Sequence, residues 1–237
     1  MRKLGEGKTK IVYESSQPGQ VLLKFKDDIT ALDGVKKDRI EGKGSINARL
    51  SAFLFRLLEE KGIPTHFISV ENPSTLRVLK LEMIPVEVVC RNIAAGRLVK
   101  TYPFYRHGEV LNQPLVEFFL KDDAYHDPLL SEEHLKIFGL MGGEEIVEAK
   151  QITLKVNAVL KEFLRLKGLR LVDFKLEFGR DFEGRLRVGD ELNLDSMRLW
   201  REDGKSLDKD VYRRGGSLSE VAEVYRTAYK MITGEEA

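Results

Sequence analysis

The sequence has one cysteine, Cys90, so no internal disulfide can form. Its 4 histidines, His66, His107, His126 and His134, show no spacing that would hold a transition metal. No Ser/His/Asp or Cys/His arrangement suited to nucleophilic catalysis can be assembled from the chain. No apolar run approaches the length of about 20 residues that a membrane span needs. The opening MRKLGEGKTK offers no apolar stretch that could act as a signal peptide, so the cytoplasm is the expected compartment. Neither sign of charge dominates: 39 Lys and Arg face 38 Asp and Glu, a net charge of +1. No global field would therefore draw the chain onto nucleic acid or an anionic membrane, and any bound anion must be held by a local cluster. Internal repeats and low-complexity linkers are also missing. What is present is 237 residues with 42% hydrophobic content, enough for one large domain or two small ones.

Periodicity divides the chain into a strand-rich first part and a mixed second part. KTKIVYES and QVLLKFK predict a hairpin around QPGQ, and the charged, glycine-containing DDITALDGVKKDRIEGKG predicts a surface loop. A helix is expected from Ser45, with Ile46, Leu50, Phe53, Leu54, Leu57 and Leu58 at helical spacing until Gly62. Three strand-like runs follow, THFISV, TLRVLKLEM and VEVVCRNI. Residues 103–128 read as a loop, with a short helix after Ser131 and a long amphipathic helix over about 144–167. Ser217 with Glu220 predicts a capping box opening a last helix that ends near Gly234. Strands first and helices later, without βαβ alternation, predict an α+β protein in two lobes, divided as 1–92 and 93–237.

LVDFKLEFG, residues 171–179, alternates as a strand, with Val172, Phe174, Leu176 and Phe178 on one face and Asp173, Lys175 and Glu177 on the other. Through GRDFEG the chain turns into RLRVGDEL, an antiparallel hairpin that brings Asp190 and Glu191 near the charged face. Carboxylates gathered there need a bound cation or a raised pKa to offset their repulsion, and oxygen donors alone favour Mg²⁺. A half-buried strand also puts polar groups toward water for no functional reason. The turn GEGKTK sets glycines and lysines before a strand, as a phosphate-binding lid would, without Walker A spacing. Arg91, Arg97 and Arg198 stand at strand ends, where each is either an anion clamp or a surface ion-pair partner.

MIPVEVVCRNIAAG and LVDFKLEFG, with GKTKIVY before and GDELNLDSMRLW after, resemble the phosphoribosylaminoimidazole-succinocarboxamide synthases, the SAICAR synthetases of purine biosynthesis, nearly end to end. The resemblance implies an N-terminal kinase-like nucleotide lobe and a C-terminal lobe related to ATP-grasp enzymes. It implies an ATP-dependent ligase joining L-aspartate to the carboxylate of 5-amino-1-(5-phosphoribosyl)imidazole-4-carboxylate, through an acyl phosphate. By the same likeness Gly7, Lys8 and Lys10 hold the ATP phosphates, and Met83 lies at the adenine. Lys121 approaches the nucleotide, and Glu177 and Asp190 bind Mg²⁺. Arg91, Arg97 and Arg198 grip the imidazole ribonucleotide, whose reacting carboxylate Asp173 and Lys175 face. Lys10, Lys175 and Asp173 are the expected catalytic residues, and a homodimer is expected. The sequence departs from the family pattern at Gly5, Thr30, Asn193, Leu194 and Arg97, the last standing where the family has serine. Rival readings are a small-molecule kinase on the same fold and a nucleotide-binding regulator without catalysis.

Overall fold

Two antiparallel sheets are built from the alternating segments. The computed structural model describes residues 1–31 and 36–236. The first sheet takes β1 (Lys3–Glu6), β2 (Lys10–Glu14) and β3 (Gln20–Phe25) from the start of the chain. After β4 (Asp28–Ala31), β5 (Lys36–Arg39) and helix α1 (Lys43–Glu60), the sheet is completed by β6 (Phe67–Asn72) and β7 (Thr75–Leu79). Its order is β1-β2-β3-β7-β6. The expected surface loop is instead an antiparallel pair, β4 with β5. Ile29 and Ile40 are buried there and tie the segment to the core, although its residues 32–35 lie outside the described ones. Helix α1 covers the sheet with Leu50, Leu54, Phe55 and Leu58, all fully buried.

The second sheet contains β8 (Glu82–Ile93), then β9 (Val110–Leu120) and the short β10 (Leu129–Leu130). Helix α2 (Arg97–Thr101) lies between β8 and β9. Beyond β10 come α3 (Glu132–Ile137), α4 (Gly143–Leu166), β11 (Leu169–Arg180), β12 (Leu186–Gly189), β13 (Met197–Arg201), α5 (Asp210–Arg213) and α6 (Leu218–Thr233). The order is β10-β9-β8-β11-β12, with β13 also paired to β11. An 11-residue strand, β9, thus replaces much of the loop expected over 103–128. Its first half carries Asn112, Gln113 and Pro114 and is exposed, so the alternation that marks a strand is weak there. Ser217 caps α6 by accepting from the Glu220 amide, the one half of the expected capping box that is formed.

Because β8 is bonded into the second sheet, the change of sheet falls between Leu79 and Glu82, ahead of the expected division at 92/93. The apolar core is nonetheless continuous. Residues of α1, β3 and β7 belong to the same buried cluster as those of α4, β11 and α6. The sheets are also stitched directly: the His66 amide donates to the Val188 carbonyl and the Val188 amide to the Pro64 carbonyl. Helix α4 packs across β8, β9 and β11, while α6 crosses over to pack on α1. Among the described residues, no helix is long and apolar enough to cross a membrane.

Candidate active site

Strand β11 is the spine of the site. On one side it pairs with β8 along most of its length; on the other it meets β13 over its first half and β12 over its second. Between the two half-length partners the 190–196 loop leaves the sheet, and Lys175 bonds that loop by donating its amide to Ser196. A register shift between Leu171 and Asp173 turns Val172 away from Phe174, so Val172 packs with Ile93, Ala95 and Trp200 in a small separate cluster. From Asp173 onward the expected alternation holds. Its polar face is not solvated, however, for Asp173 and Glu177 are buried.

The charged face carries two clusters. In the first, Glu177 opposes Glu87 directly on β8, a like-charge pairing that costs stability unless a cation intervenes. Lys175 supplies it, with Nζ 2.6 Å from Glu87 and 3.2 Å from Glu177. Lys121, just beyond β9, reaches the other Glu177 oxygen at 2.5 Å. Lys10, the first residue of β2, crosses from the other sheet to Asp190 at 3.1 Å and Glu191 at 2.9 Å. Four carboxylates, Glu87, Glu177, Asp190 and Glu191, thus face three ammoniums. Burial raises the Glu177 pKa, but Lys175 and Lys121 outweigh it and hold the carboxyl below its ordinary value. Burial likewise lowers the Lys10 pKa, and Asp190 and Glu191 more than reverse this. Asp190 has φ 59°, an unusual conformation for a residue other than glycine and one that aims its carboxylate at Lys10.

In the second cluster Asp173 lies opposite Arg91 on β8 and Arg198 on β13. Its Oδ2 accepts from Arg198 at 2.7 Å and from Arg91 at 3.2 Å. Glu117 of β9 holds Arg91 at 2.5 Å, and Asp210 of α5 holds Arg198 at 2.9 Å. The geometry brings two guanidiniums together with their outer edges fixed. Gly96 allows this: its φ is 58°, and a methyl group there would stand 2.6 Å from the Arg198 guanidinium.

The loop bearing Asp190 is anchored by buried polar groups. Asn193 donates to Glu191 and to Ser51 of α1, and Leu194 is buried in the core. Asp195 accepts from Lys43 at 2.5 Å, Asn47 at 2.9 Å and the Tyr225 hydroxyl of α6 at 2.6 Å. The expected site residues therefore fall into a lysine–carboxylate group (Lys10, Lys121, Lys175, Glu177 and Asp190) and an arginine group (Arg91, Asp173 and Arg198). Gly7 and Lys8 form the turn between β1 and β2, where Lys8 pairs with Asp123 at 2.5 Å. Met83 opposes Gly179 at the start of β8, where a methyl on Gly179 would meet Leu81 Cβ at 2.8 Å and Met83 Sδ at 3.1 Å. Arg97 joins neither group. Its guanidinium donates to the backbone carbonyls of Asp127, at 2.5 Å, and His126, at 2.6 Å, rather than to an acidic partner such as Glu109. Glu87, Glu117 and Asp210 were not anticipated. The period-2 face of β8, running Glu87, Val89, Arg91, was the signal for the first of them.

The SAICAR synthetase family model matches residues 3–232. The chain belongs to the SAICAR synthetase family. It is 52% identical to the phosphoribosylaminoimidazole-succinocarboxamide synthase of Sulfolobus acidocaldarius, covering 98% of both chains. The SAICAR synthetase homologue of Sulfurisphaera tokodaii is 53% identical over 98% of both. A solved type-2 SAICAR synthetase in complex with ADP superposes with a TM-score of 0.93 at 45% identity, again covering 98% of each chain.

Proposed function

We propose that this SAICAR synthetase family member uses ATP to join L-aspartate to the carboxylate of 5-amino-1-(5-phosphoribosyl)imidazole-4-carboxylate, releasing the succinocarboxamide, ADP and phosphate. The observation that carries the reading is the side-by-side placement, on one face of β11, of a lysine–carboxylate cluster and an arginine cluster. A carboxylate does not accept an amine in water until one oxygen becomes a leaving group, so the reaction must first move a phosphoryl group and then admit the amine. Lys10, Lys8 and the Gly7 backbone would neutralise ATP phosphates, with Met83 beside the base at the junction of the sheets. Lys121, paired with Glu177, would stand on the nucleotide side. Arg91 and Arg198 would hold the imidazole nucleotide, and Asp173 would fix the angle at which both arginines present their forks. Lys175 is tied to Glu87 and Glu177 and would stand where charge builds on the carboxylate under attack, stabilising the transition state rather than carrying a proton.

The donor set fits a hard cation. Glu177 and Asp190 offer only oxygen, and the cluster holds one more carboxylate than ammoniums. Among the described residues, no group of three or more His, Cys, Asp or Glu side chains is placed to hold a metal. Mg²⁺ characteristically takes one or two carboxylates and completes its shell from water and substrate phosphates. When bound it would offset phosphate charge. The nucleotide lobe in this reading is the first sheet with α1, the second sheet provides the substrate and metal lobe, and the enzyme acts in the cytoplasm, as a homodimer.

Phosphate release with each component omitted in turn tests the reading. ADP is expected only when ATP, Mg²⁺ and the imidazole nucleotide are all present, and amide only when L-aspartate is added. ADP formed equally without the imidazole nucleotide would point instead to a bare ATPase.

A further inference from the structure

The segment from Lys121 to Asp127 runs between β9 and β10 and is held at three points. Lys121 bonds Glu177, Asp123 bonds Lys8 in the β1–β2 turn, and Arg97 grips the far end through two carbonyls. The gripped residues, His126 and Asp127, have φ of 56° and 48°, in the left-handed region that is strained for a side-chain-bearing residue. Such a conformation persists where its surroundings impose it. Within the loop the amides of Tyr125 and Asp127 both turn back to the Asp122 carbonyl, and the Asp127 carboxylate accepts from the Asp122 amide. The Arg97 guanidinium itself rests over the Phe119 ring, 5.2 Å from its centroid, which sets the direction of the fork.

We infer that Arg97 is a positioning residue for the nucleotide side of the site: by fixing the His126 and Asp127 carbonyls it sets the loop that carries Lys121 to Glu177 and Asp123 to Lys8. This departs from the anion-binding part that its place at a strand end suggested. Both Nη atoms are already directed at carbonyl oxygens, so removing the fork should act on ATP and ADP before the imidazole nucleotide. A serine at this position could not span the distance to either carbonyl. The inference rests on the ATP-dependent reading above for its consequence on nucleotide affinity, while its structural core stands without any ligand.

Two measurements on the full-length protein test it. In Arg97→Met, which keeps the aliphatic stem over Phe119 and removes the donors, hydrogen exchange of the Tyr125, His126 and Asp127 amides without ligand should speed up about tenfold. ADP binding measured by calorimetry should weaken about fivefold, the size of one exposed hydrogen bond, with binding of the imidazole nucleotide unchanged. Arg97→Lys, able to reach one carbonyl, should recover part of both effects. Unchanged exchange in Arg97→Met overturns the inference, as does a loss confined to the imidazole nucleotide. Wild-type protein that fails to bind ADP would instead count against the ATP-dependent reading, with the exchange result still deciding the role of Arg97.

Discussion

Neutralising Glu177 or Asp190 tests the charge count at the site. Glu177→Gln removes a buried carboxylate that Lys175 and Lys121 keep charged and should cost stability, whereas Asp190→Asn leaves Lys10 paired with Glu191 and should stay within about 1 kcal/mol of wild type. Asparagine also tolerates the left-handed backbone at 190. Turnover at saturating Mg²⁺ should nonetheless fall by about two orders of magnitude or more if these oxygens hold the metal. Urea midpoints and steady-state rates check both halves, and near-normal turnover in either variant would end the metal assignment. At this scale the sequence was informative wherever a residue sat on a strand with clear alternation. Asp173, Lys175 and Glu177 share one face as the pattern required, and Asp190 follows the strand residue paired with Glu177. The carbonyl partners of Arg97 could not be read from sequence, because an arginine's long reach lets sequence position say little about its partner. The acids that hold the site, Glu117 on β9 and Asp210 on α5, lie on elements whose approach to Arg91 and Arg198 no local pattern reveals.

Helix α2 depends on the turn that precedes it. Gly96→Ala would place a methyl 2.6 Å from the Arg198 guanidinium in a backbone already at φ 58°. The expected cost is about 1–2 kcal/mol of stability, read as a lower urea midpoint. Imidazole nucleotide affinity should fall more than ADP affinity, because Arg198 must leave Asp173. Equal affinities for both ligands in the variant and the wild type would show that Arg198 is not part of the clamp. Among the elements, the long helices α1 and α4 were legible because their apolar stripes run for several turns, and β11 because its alternation is strict from Asp173 on. The strand β9 was not: its first half is exposed and has no apolar face to alternate with. The shift before Asp173 was equally hidden, since two residues of a bulged strand oppose one on the partner while the alternation in its own sequence runs on unbroken.

The α+β class could be argued from element order alone, whereas the join between the two sheets could not. His66 sits at that join, buried, in a T-shaped contact with Phe55 and with its Nε2 without a hydrogen-bond partner among the described residues. Burial pushes its pKa down from 6.5 to about 4, with Asp190 opposing and Lys10 assisting. Above pH 6.5 neither the folded nor the unfolded chain is protonated there, and the group has no effect on stability. Below it, the unfolded chain takes up a proton that the native one refuses, so stability falls as pH drops from 6.5 toward 4. Between pH 7 and pH 5 the loss attributable to His66 should be about 2 kcal/mol. Urea titrations at the two pH values should show that loss reduced in His66→Leu; an identical decline in both proteins would mean another group is responsible. The packing of α6 on α1 has a further consequence, for synthesis on the ribosome. The first sheet and α1 emerge early, yet part of the apolar surface of α1 is covered by α6, a helix that follows every strand of the second sheet. The first sheet and α1 must therefore wait, incompletely covered, until α6 has left the exit tunnel. Nascent chains halted before residue 218 are expected to be protease-sensitive in both halves, unlike those of proteins whose first domain closes by itself.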